Sequence, residues 1–187
     1  QGTFLTVSDS LQDLSEMLYP RRALAVLSEH LDNARVVVVS GPRQAGKSEL
    51  LRMAHRTRGG RYLSLDTPAD LRLARTDPTG LIDTAERPLL IDEIQRGGDP
   101  LVFAIKAAVD NDPARGQFAL AGSTRFLTEP RLSESLAGRA RFVDLWPLAQ
   151  GELERLGHGD RFVDLLFQGP DVMIDGSPVG ERRPAVA

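Results

Sequence analysis

One eight-residue segment constrains this chain more than any other feature: Gly41-Pro-Arg-Gln-Ala-Gly46-Lys47-Ser48. It has the spacing GxxxxGK[ST] and lies between RVVVVS (35–40) and ELLRMAHRT (49–57). The first is a continuous β-branched run, as expected of a strand buried on both faces. The second reads as a helix. Glycines at both ends of the segment let the backbone curl, so that successive N–H groups face one anion. The helix that follows adds the partial positive charge of its N-terminus. Lys47 would reach the β- and γ-phosphates, and the Ser48 hydroxyl would ligate Mg²⁺. Gly41, Pro42, Arg43, Gln44, Ala45, Gly46, Lys47, Ser48 and the adjoining Glu49 are therefore candidate phosphate-binding residues.

A buried strand, a phosphate loop and a helix call for a parallel α/β sheet, and the rest of the chain alternates accordingly. Further strands are predicted in RYLSLD (61–66), RPLLIDE (87–93), QFALAGS (117–123) and RFVDLWPL (141–148). Helix starts are predicted at Pro20, Thr67-Pro68, Asp77-Pro78, Asp99-Pro100 and Pro130, the last helix ending at Gly138. Trp146 and Phe142 are expected to pack in the core around the fifth strand. At 187 residues the length suits one ordinary domain.

Composition removes several classes. With no cysteine there is no disulfide scaffold, thiolate zinc site or cysteine nucleophile. His30, His55 and His158 are isolated and lack metal-ligand spacing. No apolar run approaches a membrane span and no signal peptide is visible, so a cytoplasmic protein with no membrane partner is expected. The net charge of −3 argues against a basic nucleic-acid coat. Yet Arg35 to Arg61 holds six arginines and one lysine against one acid, Glu49. That excess would attract a nucleotide; contact with nucleic acid is the alternative.

Leu89-Leu-Ile-Asp92-Glu93 ends an apolar strand in two adjacent carboxylates. Asp92 would join the Mg²⁺ shell, and Glu93 would orient or deprotonate an attacking water. A water-activating acid favours hydrolysis over transfer to a small-molecule acceptor. Ser123, at the end of the fourth strand, would face the ligand crevice, unless its hydroxyl merely caps a turn. Arg139 and Arg141 flank the start of the fifth strand. Either would serve as an arginine finger or stand solvated. Arg43 and Arg125 are lesser candidates for phosphate contact.

In order along the chain, GPRQAGKSELL, YLSLD, LLIDEIQ, FALAGSTRFL and LSESLAGRARFVDLWPL resemble a bacterial and archaeal family of AAA+-type P-loop ATPases with a DEIQ Walker B sequence. Such proteins usually carry a nuclease-like C-terminal domain of unknown function. The resemblance implies a three-layer sandwich on a parallel sheet in the order 5-1-4-3-2, with ATP or ADP and Mg²⁺ as ligands. By position it makes Lys47 and Ser48 the Walker A pair, Asp92 and Glu93 the Walker B pair, and Ser123 the sensor. Arg139 becomes the favoured finger, with Arg141 as substitute, and that role implies a homo-oligomer. Tyr19-Pro20-Arg21 resembles the segment that packs near adenine. Gln95 belongs to the pattern without an evident physical role. The implied organisation is a helical segment over 1–34, an ATPase core over 35–150, the start of a shortened helical lid over 151–169 and a mobile Gly/Pro-rich tail over 170–187. The C-terminal domain has no counterpart in this sequence.

The leading expectation is an Mg²⁺-dependent ATPase that couples hydrolysis to conformational change or assembly. The alternative is a nucleotide-binding switch with little turnover, associated with DNA or another partner. A P-loop kinase and a DNA motor rank below these.

Overall fold

A computed structural model of the chain describes residues 21–122, 136 and 138–153. Five strands form its sheet: β1 (Val36–Ser40), β2 (Arg61–Ser64), β3 (Leu89–Asp92), β4 (Phe118–Ala121) and β5 (Ala140–Asp144). Every pairing is parallel and the order is β2-β3-β4-β1-β5. Read from the other edge, this is the 5-1-4-3-2 order that the resemblance implies.

The helices are α1 (Arg22–Asn33), α2 (Lys47–Arg58), α3 (Pro68–Thr76), α4 (Pro78–Thr84), α5 (Asp99–Asn111) and α6 (Gln150–Leu153). Local chemistry sets their starts. Pro68 and Pro78 occupy first turns, where a missing N–H costs nothing. The Asp77 carboxylate accepts the Gly80 N–H at 2.8 Å and so caps α4.

Alternation along the buried strands divides the core between two faces. Val37, Val39, Leu90, Ala119 and Ala121 pack against Leu27 and Leu31 of α1 and Leu50, Leu51 and Ala54 of α2. Val36, Val38, Leu89, Ile91, Phe118 and Leu120 pack against α3, α4 and α5 through Ala74, Leu81, Ile82, Leu101 and Ile105. Helices on both faces of the sheet give the three layers of an α/β P-loop fold. β1 is buried along its whole length, as its unbroken apolar run predicts.

The fifth strand departs from expectation. Val143 and Leu145 are buried, but Phe142 is 48% exposed and Trp146 72% exposed, so neither is the core residue it was expected to be. β5 lies at the sheet edge, and only alternate residues face the packed layer. It also ends earlier than RFVDLWPL suggests. After Asp144 the Leu145 N–H still donates to the Ser40 carbonyl at 2.7 Å. Pro147 then offers no donor with which to continue a ladder.

Arg21–Leu148 forms one compact unit; a second is described only over Ala149–Leu153. In the second, Glu152 accepts the Ala149 N–H and donates its own N–H to the Ala149 carbonyl, a reciprocal cap for α6. Among the described residues no helix is long and apolar enough to cross a membrane. The expected helix from Pro130 lies largely outside the described residues, as does the 154–187 segment.

Candidate functional site

In a parallel sheet every strand delivers its C-terminal end to one side, and register decides which residues meet there. Val38, Leu120 and Ile91 stand level across β1, β4 and β3. Asp92 is therefore level with Val39 and Ala121, and the phosphate loop begins two residues beyond. With adjacent strands about 4.8 Å apart, β3 lies roughly 10 Å from β1 across β4. Asp92 shares its face with Leu90, which packs on α2. The Asp92 carboxylate and the first turn of α2, which carries Lys47 and Ser48, thus lie on the same side of the sheet.

The loop itself is shaped by two left-handed residues, Gln44 (φ 64°) and Gly46 (φ 90°). Only glycine takes such a conformation without cost, so the sequence signals the second and not the first. Gly41 answers a different demand. A Cβ there would lie 2.2 Å from the Leu145 carbonyl oxygen, where the loop leaves β1 against the end of β5. The Ser40 hydroxyl donates to Asp144 at the same junction, a tie the sequence does not reveal. Intrahelical bonding in α2 begins with Leu50 N–H to the Gly46 carbonyl at 2.9 Å. The N–H groups of Lys47, Ser48 and Glu49 precede it and have no intrahelical acceptor. Helix starts of this kind favour anions, because their N–H groups and the helix dipole both carry partial positive charge.

Lys47 is 8% exposed, and its ammonium donates to the carbonyls of Gly41 (2.9 Å) and Pro42 (2.8 Å). It therefore lies within the curl of its own loop. Pro42, Arg43 and Gln44 are exposed and Ala45 is buried. The Glu49 carboxylate is engaged by Arg56 (2.6 Å) and Arg52 (3.7 Å). Arg21 donates to the Trp146 carbonyl at 2.7 Å, and its guanidinium lies 3.7 Å from where a Gly46 Cβ would stand. That brings Arg21 beside the loop.

Asp92 is 2% exposed, and both its oxygens are engaged. Oδ2 accepts the Tyr62 hydroxyl at 3.2 Å, and Oδ1 accepts the Glu93 N–H at 3.1 Å. Burial first, then the charge of Asp92, pushes the Tyr62 phenol up to about 12. Tyr62 stays a donor at neutral pH. A phenol whose folded pKa is raised adds stability that is complete below the unfolded value of about 10 and fades as pH climbs towards about 12. Tyr62→Phe should cost about 1 kcal/mol at pH 8. It should also lose less further stability than the wild type between pH 9 and 11. Urea midpoints across that range check both points, and parallel curves would refute the second.

Glu93 does not extend β3. It takes a left-handed conformation (φ 54°, ψ 44°) and opens a 3-10 turn over Ile94–Arg96. Non-glycine residues held this way cluster at functional sites. The turn is fixed on several sides. Arg96 N–H donates to the Glu93 carbonyl (2.9 Å) and Arg75 to the Arg96 carbonyl (3.0 Å). The Arg96 side chain pairs with Asp66, and Ile94 is fully buried. Within the turn the Gln95 side-chain amide donates to the Glu93 carboxylate. Sequence reading missed Tyr62 and left Gln95 without a role; a tyrosine in a sheet strand and a glutamine just beyond the acidic pair were the available signals.

The candidate fingers stand elsewhere. Arg139 precedes β5, and its guanidinium donates to Asp110 of α5, a bond that holds the Asp110 carboxyl below the usual range. Arg141 lies within β5 and is exposed, rather than flanking the strand. Together with Arg35 and Arg115 they line a cavity of about 470 Å³ at the N-terminal edge of β1 and β5. Six residues of extended chain separate Arg139 from Leu145 at the loop, about 20 Å. Tyr19, Ser123 and Arg125 lie outside the described residues. Among the described residues no three His, Asp or Glu side chains gather as a metal cluster.

Residues 33–154 match the family model of the AAA domain. The chain is 37% identical over 134 residues to Uncharacterized protein Rv2008c of Mycobacterium tuberculosis and to Uncharacterized protein Mb2031c of Mycobacterium bovis. Each match covers 71% of this chain and 30% of the relative, so the chain spans under a third of the length of these proteins. Among solved structures it is similar to the Walker-type ATPase PABY2304 of Pyrococcus abyssi (TM-score 0.50, 18% identity, 80% of this chain and 60% of that one). It is also similar to AMPPCP-bound DnaA from Aquifex aeolicus (TM-score 0.48, 17% identity, 90% and 59%). At these identities the likeness to the solved structures is one of fold. The family match spans well over half of the sequence, and the chain belongs to the AAA domain family.

Proposed function

We propose that this domain binds ATP and hydrolyses it to ADP and phosphate. The observation that carries the reading is the shared edge: the phosphate loop with its inward Lys47, and the Asp92–Glu93 pair, lie on one side of the sheet two strands apart. Loop N–H groups and the start of α2 would hold the β- and γ-phosphates, with Lys47 adding its charge. Arg21, beside Gly46, would line the nucleotide, as would Tyr19. The Asp92 carboxylate and Ser48 hydroxyl are hard oxygen donors, the type Mg²⁺ prefers. When bound, the ion would neutralise charge between the phosphates.

In the hydrolytic step a water oxygen forms a bond to the γ-phosphorus as the bond to the bridging oxygen of ADP breaks. The water proton passes to Glu93. Ser123 would touch the γ-phosphate or that water. Arg139 stands some 20 Å from its own loop, so as a finger it would complete the site of a second copy after leaving Asp110. Coupling to assembly follows from that arrangement.

Phosphate release from MgATP, followed over a range of protein concentrations, tests this. Specific activity should climb with concentration in the wild type. Arg139→Ala should lower the plateau by about 10³-fold while ATP still binds. Flat activity unaffected by the substitution would exclude a trans-acting finger. The same measurement separates hydrolysis from a nucleotide switch of low turnover. Tight ATP binding with no phosphate release at any concentration would select it.

A further inference from the structure

Gln95 has the clearest unused geometry in the molecule. Its Nε2 donates to Oε2 of Glu93, while its own Oε1 is buried with no partner. The orientation of the amide follows from charge. Turning it over would set an oxygen against the carboxylate and lose the bond, so the nitrogen must face Glu93. A side chain that only filled space would not keep a polar acceptor buried and unsatisfied, because an apolar residue of that size avoids the cost. The turn between the two residues is also held firmly. Arg96 pairs with Asp66, Arg75 bonds the Arg96 carbonyl, and Ile94 is sealed in the core. The backbone that carries Gln95 is thereby held in place, and beside it, at the left-handed Glu93, the two side chains meet.

We propose that Gln95 is the positioning residue of this site: its amide holds one carboxylate oxygen of Glu93 and leaves the other to take the proton of the attacking water. A freely rotating carboxylate would present the reactive oxygen only part of the time. A tethered one is pre-set, which is the kind of orientation that raises turnover without tightening substrate binding. The proposal rests on the ATPase reading for its kinetic consequence, but not for the contact.

The contact is tested first, without turnover, in the intact chain. The Gln95 side-chain amide signal in a ¹⁵N-labelled sample, assigned by its loss in Gln95→Ala, should shift clearly in Glu93→Ala. An unmoved signal overturns the proposal whether or not the protein hydrolyses ATP. In kinetics, Gln95→Ala should lower kcat about 10-fold with KM for ATP unchanged. Glu93→Asp withdraws the carboxylate from the amide, so adding Gln95→Ala to it should change kcat no further. A multiplicative loss in the double variant, or a rise in KM, would mean that Gln95 supports the fold alone. If the amide signal shifts as expected and the wild type releases no phosphate, the ATPase reading fails and the tether stands as a structural contact that holds Glu93.

Discussion

Glu93→Gln should bind MgATP with wild-type affinity and release phosphate at least about 10²-fold more slowly than the wild type. The argument is one of role. On the proposed reading phosphate grip belongs to the loop, to Lys47 and to the start of α2, none of which the substitution touches. What would disappear is the group proposed to take the proton of water, a contribution of about 10²–10⁴ in rate. Glutamine is close to isosteric and leaves the backbone bond from the Glu93 N–H to Asp92 in place. The left-handed backbone strain at this position remains as well, so the fold should hold. Nucleotide titration and single-turnover phosphate release separate the two effects. An equal loss of binding and rate would mean that the residue shapes the pocket. An unchanged rate would remove Glu93 from the chemistry.

The fold was legible because its signals are local and redundant. A β-branched run, a glycine loop and a helix in sequence admit one arrangement, and Pro68, Pro78 and the apolar stretch at Leu89–Ile91 mark the units that follow. The strand order came from resemblance, since no local signal says which strands are neighbours. What stayed hidden depends on tertiary placement. Phe142 and Trp146 carry the composition of core residues, yet an edge strand buries only one face. Nothing in the dipeptide Asp92-Glu93 announces that the chain turns left-handed at its second residue. Tyr62 and Gln95 lie 30 and 3 positions from Asp92, and each touches the acidic pair only because β2 runs beside β3 and a 3-10 turn folds back. A motif names the chemical groups; the residues that aim them are set by register and by turns.

Lys47→Ala should weaken nucleotide binding by about 10- to 100-fold, the range for loss of a charge-assisted hydrogen bond. Its ammonium is nearly buried and has two carbonyl acceptors in the loop. A bound phosphate would sit within the same curl and take the charge, so the lysine exchanges neutral acceptors for an anionic one. Alanine removes that gain and leaves the Gly41 and Pro42 carbonyls without their donor. The loss should therefore be larger for ATP than for ADP, because the third phosphate is the one that most needs the charge. Lys47→Arg separates charge from shape. A planar guanidinium keeps the charge but cannot enter a curl built for a compact ammonium, so affinity should stay low. Calorimetric titration of both nucleotides against both variants, with melting curves to confirm folding, reads these outcomes. Equal affinity for ATP in Lys47→Ala and in the wild type would show that the loop holds its ligand by backbone alone and would displace Lys47 from the site.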